Sequence, residues 1–265
     1  MNKQRVFPLA PTELWRFGWR QAVSCIFPVA VFGSLALSQW ITVPGLHRYD
    51  LILIVLLLVQ WWMVASKLES FDELKVICVF HVIGLCLELY KVHMGSWMYP
   101  EDGWSKLGGV PLYSGFMYAS VASYLCQAWR RLNVQLTGWP NGIWTVALSA
   151  SIYFNFFTHH YIYDFRWVLM ALVAVLFWRA RVAFHTGGAQ YRMPLIVSFA
   201  LIGFFIWLAE NIATFFGAWQ YPDQQEAWRI VGFGKISSWF LLVIISFIIV
   251  AQLKHVKAGI TNGRE

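Results

Sequence analysis

The chain is short of charge. Only 12% of its 265 residues are Asp, Glu, Lys or Arg, about half the share of a soluble domain. Acidic residues number 13, and no long polar or low-complexity run separates the apolar stretches. Cysteine is scarce too: Cys25, Cys78, Cys86 and Cys126 all fall in apolar runs and make no CxxC. That excludes a disulfide framework and a cysteine-based zinc site and leaves buried thiols. Also missing are the phosphate-cradling glycine loops, the G-x-S-x-G elbow and the haem signatures, so nothing supports nucleotide, acyl-enzyme or haem chemistry.

What fills the space is apolar. Hydrophobic residues make up 59% and aromatic residues 18%, with a mean hydropathy of +0.56. A chain this apolar must satisfy its own backbone hydrogen bonds, which makes it a polytopic helical membrane protein. Eight stretches approach bilayer length, at 22–42, 50–66, 72–92, 107–127, 141–158, 162–178, 193–216 and 231–253. Asp50, Asp72 and Asn141 stand where helix N-caps belong. The connections are too short to fold alone, so residues 1–265 read as a single membrane domain.

The net charge of +7 in such a chain follows from the positive-inside rule, not from nucleic-acid binding. With the N-terminus inside, the inner loops hold Lys3, Arg5, Arg16, Arg20, Lys67, Lys75, Arg130, Arg131, Arg179, Arg181, Arg192, Lys254, Lys257 and Arg264. The outer side holds Arg48, Lys91, Lys106, Arg166, Arg229 and Lys235. This predicts a cytoplasmic-membrane protein with both termini in the cytoplasm and membrane lipids as its surroundings. Trp15, Phe17 and Trp19 among Arg16 and Arg20 fit an interfacial start to the first helix.

One pattern occurs twice. Glu88–Pro100 reads ELYKVHMGSWMYP and Glu210–Pro222 reads ENIATFFGAWQYP, which share E-x6-G-[SA]-W-x-Y-P at a separation of 210 − 88 = 122 residues. Four helices lie between the copies, so they point the same way. The expectation is an all-α bundle of eight transmembrane helices built as a parallel 4+4 duplication, repeats 1–140 and 141–265.

Each part of the motif has a physical reading. A carboxylate within a span costs on the order of 2.5–3.5 kcal/mol at mid-membrane, so Glu88 and Glu210 need compensation and are the candidate catalytic pair. Gly95 and Gly217 should end their helices in the left-handed conformation. The aromatics sit in the interfacial belt, and the prolines stop the helices. Candidate substrate-binding residues are His93, Trp97, Tyr99, Asn211, Trp219, Tyr221 and Lys235. His81 shares a face with Glu88. His159, His160 and Asp164 form a turn that lacks metal-ligand spacing, and no metal or cofactor is expected.

The stretch GSWMYPEDGWSKLGGVPLYSGFMYASVASY resembles a family of bacterial integral membrane proteins known as domain of unknown function 817. More distantly, the run G-x-W-x-Y-P followed by G-V-P-L at Gly109–Leu112 looks like the repeated unit of membrane-bound lycopene cyclases and carotenoid hydratases. That likeness implies duplicated helical bundles that protonate isoprenoid double bonds with acidic side chains. In the cyclase motif paired glutamates follow the proline, where this sequence has Tyr113 and Ser114, and the second copy reads VGFGK at Val231–Lys235. The functional expectation is acid/base chemistry by Glu88 and Glu210 on a lipophilic, lipid- or isoprenoid-like substrate. The alternatives are proton- or cation-coupled transport and a structural role without turnover.

Overall fold

A computed structural model describes the backbone of residues 4–6 and 11–262 and the side chains of 11–251. Lys3, Arg5, Lys254, Lys257 and Arg264 of the charge argument lie outside the described side chains. The protein is predominantly helical: α1 Pro11–Ser24, α2 Ile26–Leu37, α3 Arg48–Ala65, α4 Phe71–His93, α5 Ser114–Arg131, α6 Gly142–Thr158, α7 Arg166–Leu176, α8 Leu195–Phe215 and α9 Lys235–Asn262. Strands are short: β1 Gln4–Val6, β2 Lys106–Leu107, β3 Val110–Pro111, β4 Gln135–Thr137, β5 Arg181–Thr186 and β6 Ala189–Pro194.

Among the described residues three helices, α3, α4 and α8, are long and apolar enough to cross a membrane, and α1 with α2, bent by 62° at Cys25, makes a fourth if the pair is one span. The chain is therefore a membrane protein by these helices, but the eight-span 4+4 count is not supported. The reason is length. A span needs about 20 residues, whereas α7 has 11 and α6 has 17. Stretch 107–127 spends its first residues on the β2–β3 hairpin before α5 begins. Equivalence of the halves also fails where β5 and β6 stand, since the matching residues 59–72 carry the end of α3 and the turn into α4.

The helix ends follow local chemistry. Asn141 caps α6 by accepting from the Ile143 amide. At α4 the cap is Ser70, in a reciprocal box with Glu73, so Asp72 is not the cap. His47 precedes α3, and Asp50 lies inside it. Its buried carboxylate instead accepts the Trp104 and Ser105 amides, at 2.8 Å each, and pins the loop after α4.

The chain divides into two compact units: Met1–Ser24 with Leu125–Ile206 and Gly234–Glu265, and Cys25–Tyr124 with Trp207–Phe233. In the first, a sheet of order β1-β6-β5-β4 accompanies α6, α7 and α9. β5 and β6 run antiparallel through a Gly187-Gly188 turn whose two residues both have positive φ, the geometry that makes a two-residue hairpin. In the sequence this segment is no more than a connection between the apolar stretches 162–178 and 193–216. In the second unit α2 packs on α3, α4 packs on β3, and the core includes Phe27, Tyr49, Leu56, Tyr99 and Tyr113.

Candidate functional site: a twice-built acid clamp

Both copies of the motif make the same turn. Gly95 (φ 68°) and Gly217 (φ 67°) stop α4 and α8 in the left-handed region. Ser96 N–H reaches back to Lys91 O and Gly95 N–H to Val92 O. In the second copy Ala218 N–H reaches Ala213 O and Gly217 N–H reaches Thr214 O. These pairs of 6→1 and 5→2 bonds satisfy carbonyls that a helix end leaves open. The chain then turns back over its own helix and delivers the motif's tyrosine to the motif's glutamate, eleven residues upstream in each case.

Glu88 is 3% exposed and Glu210 is 2% exposed. The Glu88 carboxylate accepts from Trp97 Nε1, the Tyr99 hydroxyl and the Tyr118 hydroxyl, each at 2.7 Å. Glu210 accepts from the Tyr221 hydroxyl, which itself takes a hydrogen bond from the Trp219 side chain. Glu88, Tyr118, Tyr221 and Glu210 are electrostatic neighbours. Between the two loops the equivalent residues Met98 and Gln220 form an antiparallel bridge, each amide donating to the other's carbonyl at 2.9 Å, and the Trp97 and Tyr221 rings meet edge to face at 5.9 Å.

Toward the glutamates the tyrosines act as donors. Burial first, and the Glu88 charge second, hold the Tyr99 hydroxyl well above the usual tyrosine range. Burial and then Glu210 do the same to Tyr221. Both therefore keep their protons at any physiological pH.

The surrounding loops are tied down by residues that the sequence alone did not single out. Arg48 spans two helix ends: it donates to Leu35 O near the end of α2, to Phe216 O and Gly217 O at the end of α8, and to Ser38 Oγ and the Glu101 carboxylate. A cation placed there meets the negative ends of two helix dipoles. Lys106 Nζ fastens Tyr99 O at 2.9 Å and Glu101 O at 2.8 Å. Another buried acid, Glu69, accepts from Gln60 at 2.6 Å and from Ser123. Tyr118 is the clamp member that the sequence reading missed. Its only signal was a hydroxyl in an otherwise small-residue helix face. It packs directly over Gly84, where an added Cβ would lie 2.5 Å from the ring.

The other candidates fall elsewhere. His93 is exposed at the end of α4. Asn211 closes its own loop, donating to Trp207 O and accepting the Val231 amide, both at 2.8 Å. Lys235 opens α9 in the other compact unit. His159, His160 and Asp164 also belong to that unit, where Asp164 takes the Asn155 amide and pairs with Arg166. Among the described residues no three His, Cys, Asp or Glu side chains gather as a metal-holding group. A cavity of about 360 Å³ in the clamp's unit is lined by Gln39, Trp40, Thr214, Phe215, Phe216, Gly217, Gln220, Gln224 and Trp228. Neither glutamate is among its walls.

The comparisons with known proteins agree on family and go no further. A curated relative from Bacillus subtilis (strain 168), the uncharacterized protein YoaT, is 63% identical over 245 residues, covering 92% of this chain and 93% of its own length. No solved structure matches. Neither likeness carries the lycopene cyclases or carotenoid hydratases with it. The family described as protein of unknown function, DUF817, matches residues 13–247, and the chain belongs to it.

Proposed function

We propose that the protein is a proton-coupled membrane protein in which Glu88 and Glu210 are the proton-binding groups. One observation carries this reading. Two carboxylates, each almost wholly buried, sit as electrostatic neighbours in one unit, and all three donors on Glu88 are neutral. Two like charges in a water-poor site oppose joint ionisation, and the pair titrates as a unit that holds and releases one proton. An ionisable group inside a membrane span marks a proton or ion route by default. Acid/base chemistry on a lipid or isoprenoid needs a carboxylate open to a hydrocarbon chain. Here Trp97, Tyr99, Tyr118 and Tyr221 cover the acids, so the geometry favours proton coupling over turnover of a lipophilic substrate.

Infrared difference spectroscopy on protein in lipid vesicles tests this. A carbonyl band of protonated carboxylic acid should appear across a pH step and vanish in both Glu88→Gln and Glu210→Gln. The same variants should lose proton movement driven by a pH gradient while keeping expression and most of their thermal stability. An unchanged band and unchanged flux in both variants would reject the reading.

A further inference from the structure

The cavity beside the end of α8 has a composition that neither the clamp nor the proton reading uses. All nine lining residues belong to one compact unit, and none is ionisable. Its polar groups are side-chain amides, two indole N–H groups and one threonine hydroxyl, and its apolar walls are the rings of Trp40, Phe215, Phe216 and Trp228. Part of this lining is committed to the fold. Gln224 braces Tyr221 N–H and Arg229 O, and Trp228 Nε1 donates to Thr214 Oγ1. Gln39 Nε2 donates to Phe216 O. What is left carries no internal bond, with Gln39 and Trp40 exposed at the mouth. The Gln220 amide, the Gln39 carbonyl oxygen and the Trp40 indole N–H have no partner among the described residues.

We propose that this cavity binds a neutral, polyhydroxylated ring of hexose size. The volume lies near the lower end of small-molecule sites, which run from about 300 to 1,000 Å³. A primary amide donates and accepts at once, and so matches a hydroxyl, which does the same. Tryptophan offers a broad apolar face beside a single N–H donor, which suits the C–H face of a sugar ring flanked by its hydroxyls. The lack of any charged wall argues against phosphates, carboxylates and amines, because an unpaired ion in such a site is costly. The ring could arrive as a free sugar or as the head of a glycolipid.

The proposal stands apart from the proton reading, although the two meet structurally. Gln220 also provides the backbone bridge to Met98, and Thr214 Oγ1 donates to Glu210 O at 3.0 Å.

The test measures binding of two probes to the full chain in nanodiscs: methyl β-glucoside by saturation-transfer NMR, and monoglucosyl diacylglycerol by lipid retention in native mass spectrometry. At least one probe should bind saturably. Gln220→Ala and Trp40→Ala should each weaken it about tenfold, the effect of one lost hydrogen bond or stacking face. Trp40→Phe should lose less, and Gln225→Ala should be neutral. Retention of the glycolipid alone assigns a lipid head, and binding of both probes assigns a free-sugar site. Thermal melting of each variant separates lost binding from lost fold. If neither probe binds, or phosphatidylglycerol is retained as strongly and as dependently on Gln220 and Trp40, the proposal is wrong.

Discussion

The two copies of the acid clamp are the same turn wired differently. Both end a helix at a left-handed glycine, and both return a tyrosine hydroxyl to a buried glutamate eleven residues earlier. The tryptophans part company. Trp97 donates straight to Glu88, whereas Trp219 bonds the hydroxyl of Tyr221. The helix that follows differs as well. Tyr118 of α5 completes the shell of Glu88, and the residue 122 places later is Phe240, which has no hydroxyl to give. Gly84 lets Tyr118 approach, and its counterpart is Ile206. The motif thus sets the turn and the first hydrogen bond, while elements outside it set how each carboxylate is finally held.

The all-or-none way to break the comparison is topological. The two loops share the Met98–Gln220 bridge, so they must lie on one side of the membrane. Cysteines placed at Ser105 and Gln225 should both be labelled by an impermeant reagent in intact cells, or both be protected. A split result would dissolve the pairing.

Next in size is Glu88→Ala. It orphans two buried donors, Tyr99 and Tyr118, each worth about 1–3 kcal/mol, and the half-buried Trp97, so unfolding of the detergent-solubilised protein should show a drop of several kcal/mol. Glu88→Gln keeps an acceptor oxygen and should lose much less. An equal loss for both would mean that the charge, not the hydrogen bonds, holds the clamp.

Gly84→Ala should cost about 1–3 kcal/mol, because the added methyl meets the Cβ, Cγ and Cδ2 atoms of Tyr118 within 2.7 Å. In the double variant with Tyr118→Ala, which removes the Cγ and Cδ2 contacts, Gly84→Ala should add less than it costs alone, and an unchanged cost would put the clash elsewhere. Tyr118→Phe makes the first copy resemble the second and should cost about 1 kcal/mol, visible as a small fall in melting temperature and a shifted carboxyl band.

The smallest effect lies outside both copies. At Asp164 burial opposes the charge, but the Asn155 amide, the Arg166 backbone and the Arg166 guanidinium prevail and hold the carboxyl below its usual range. A depressed folded value stabilises above the unfolded one, about 3.9, and that contribution fades as pH falls through the folded value. Asp164→Asn should therefore be slightly less stable than wild type at neutral pH. The gap should close in acid, as a stability titration would show.

Much of this architecture was legible because it is local. The glycine stops, the Asn141 cap, the apolar helix positions and the two glutamates all announce themselves within a dozen residues. The sheet carried a signal too, in the alternating residues around Gly187-Gly188, but hydrophobic bulk on either side masked it. Arg48, Asp50, Glu69 and Tyr118 were illegible for another reason. Each has a partner far off in the chain, Phe216 at 168 residues from Arg48, Trp104 at 54 from Asp50, Ser123 at 54 from Glu69 and Glu88 at 30 from Tyr118, and no spacing rule encodes a contact of that range. The eight-span expectation failed because apolar composition was taken for bilayer length, which α6 and α7 do not have.

The short return from tyrosine to glutamate also bears on the order of events during synthesis. A loop of eleven residues closes in on the order of 10–100 ns, far faster than a ribosome adds the next residue, at about 5–20 per second. The tyrosine–glutamate contact of each clamp therefore forms as soon as its own helix and exit loop have emerged, without waiting for its counterpart, and Tyr118 joins Glu88 once α5 follows. The Met98–Gln220 bridge must wait for another 122 residues of chain (220 − 98). The first acid is thus sheathed by its own loop early in biogenesis, and mating of the two loops is a late step performed by segments already shaped for it.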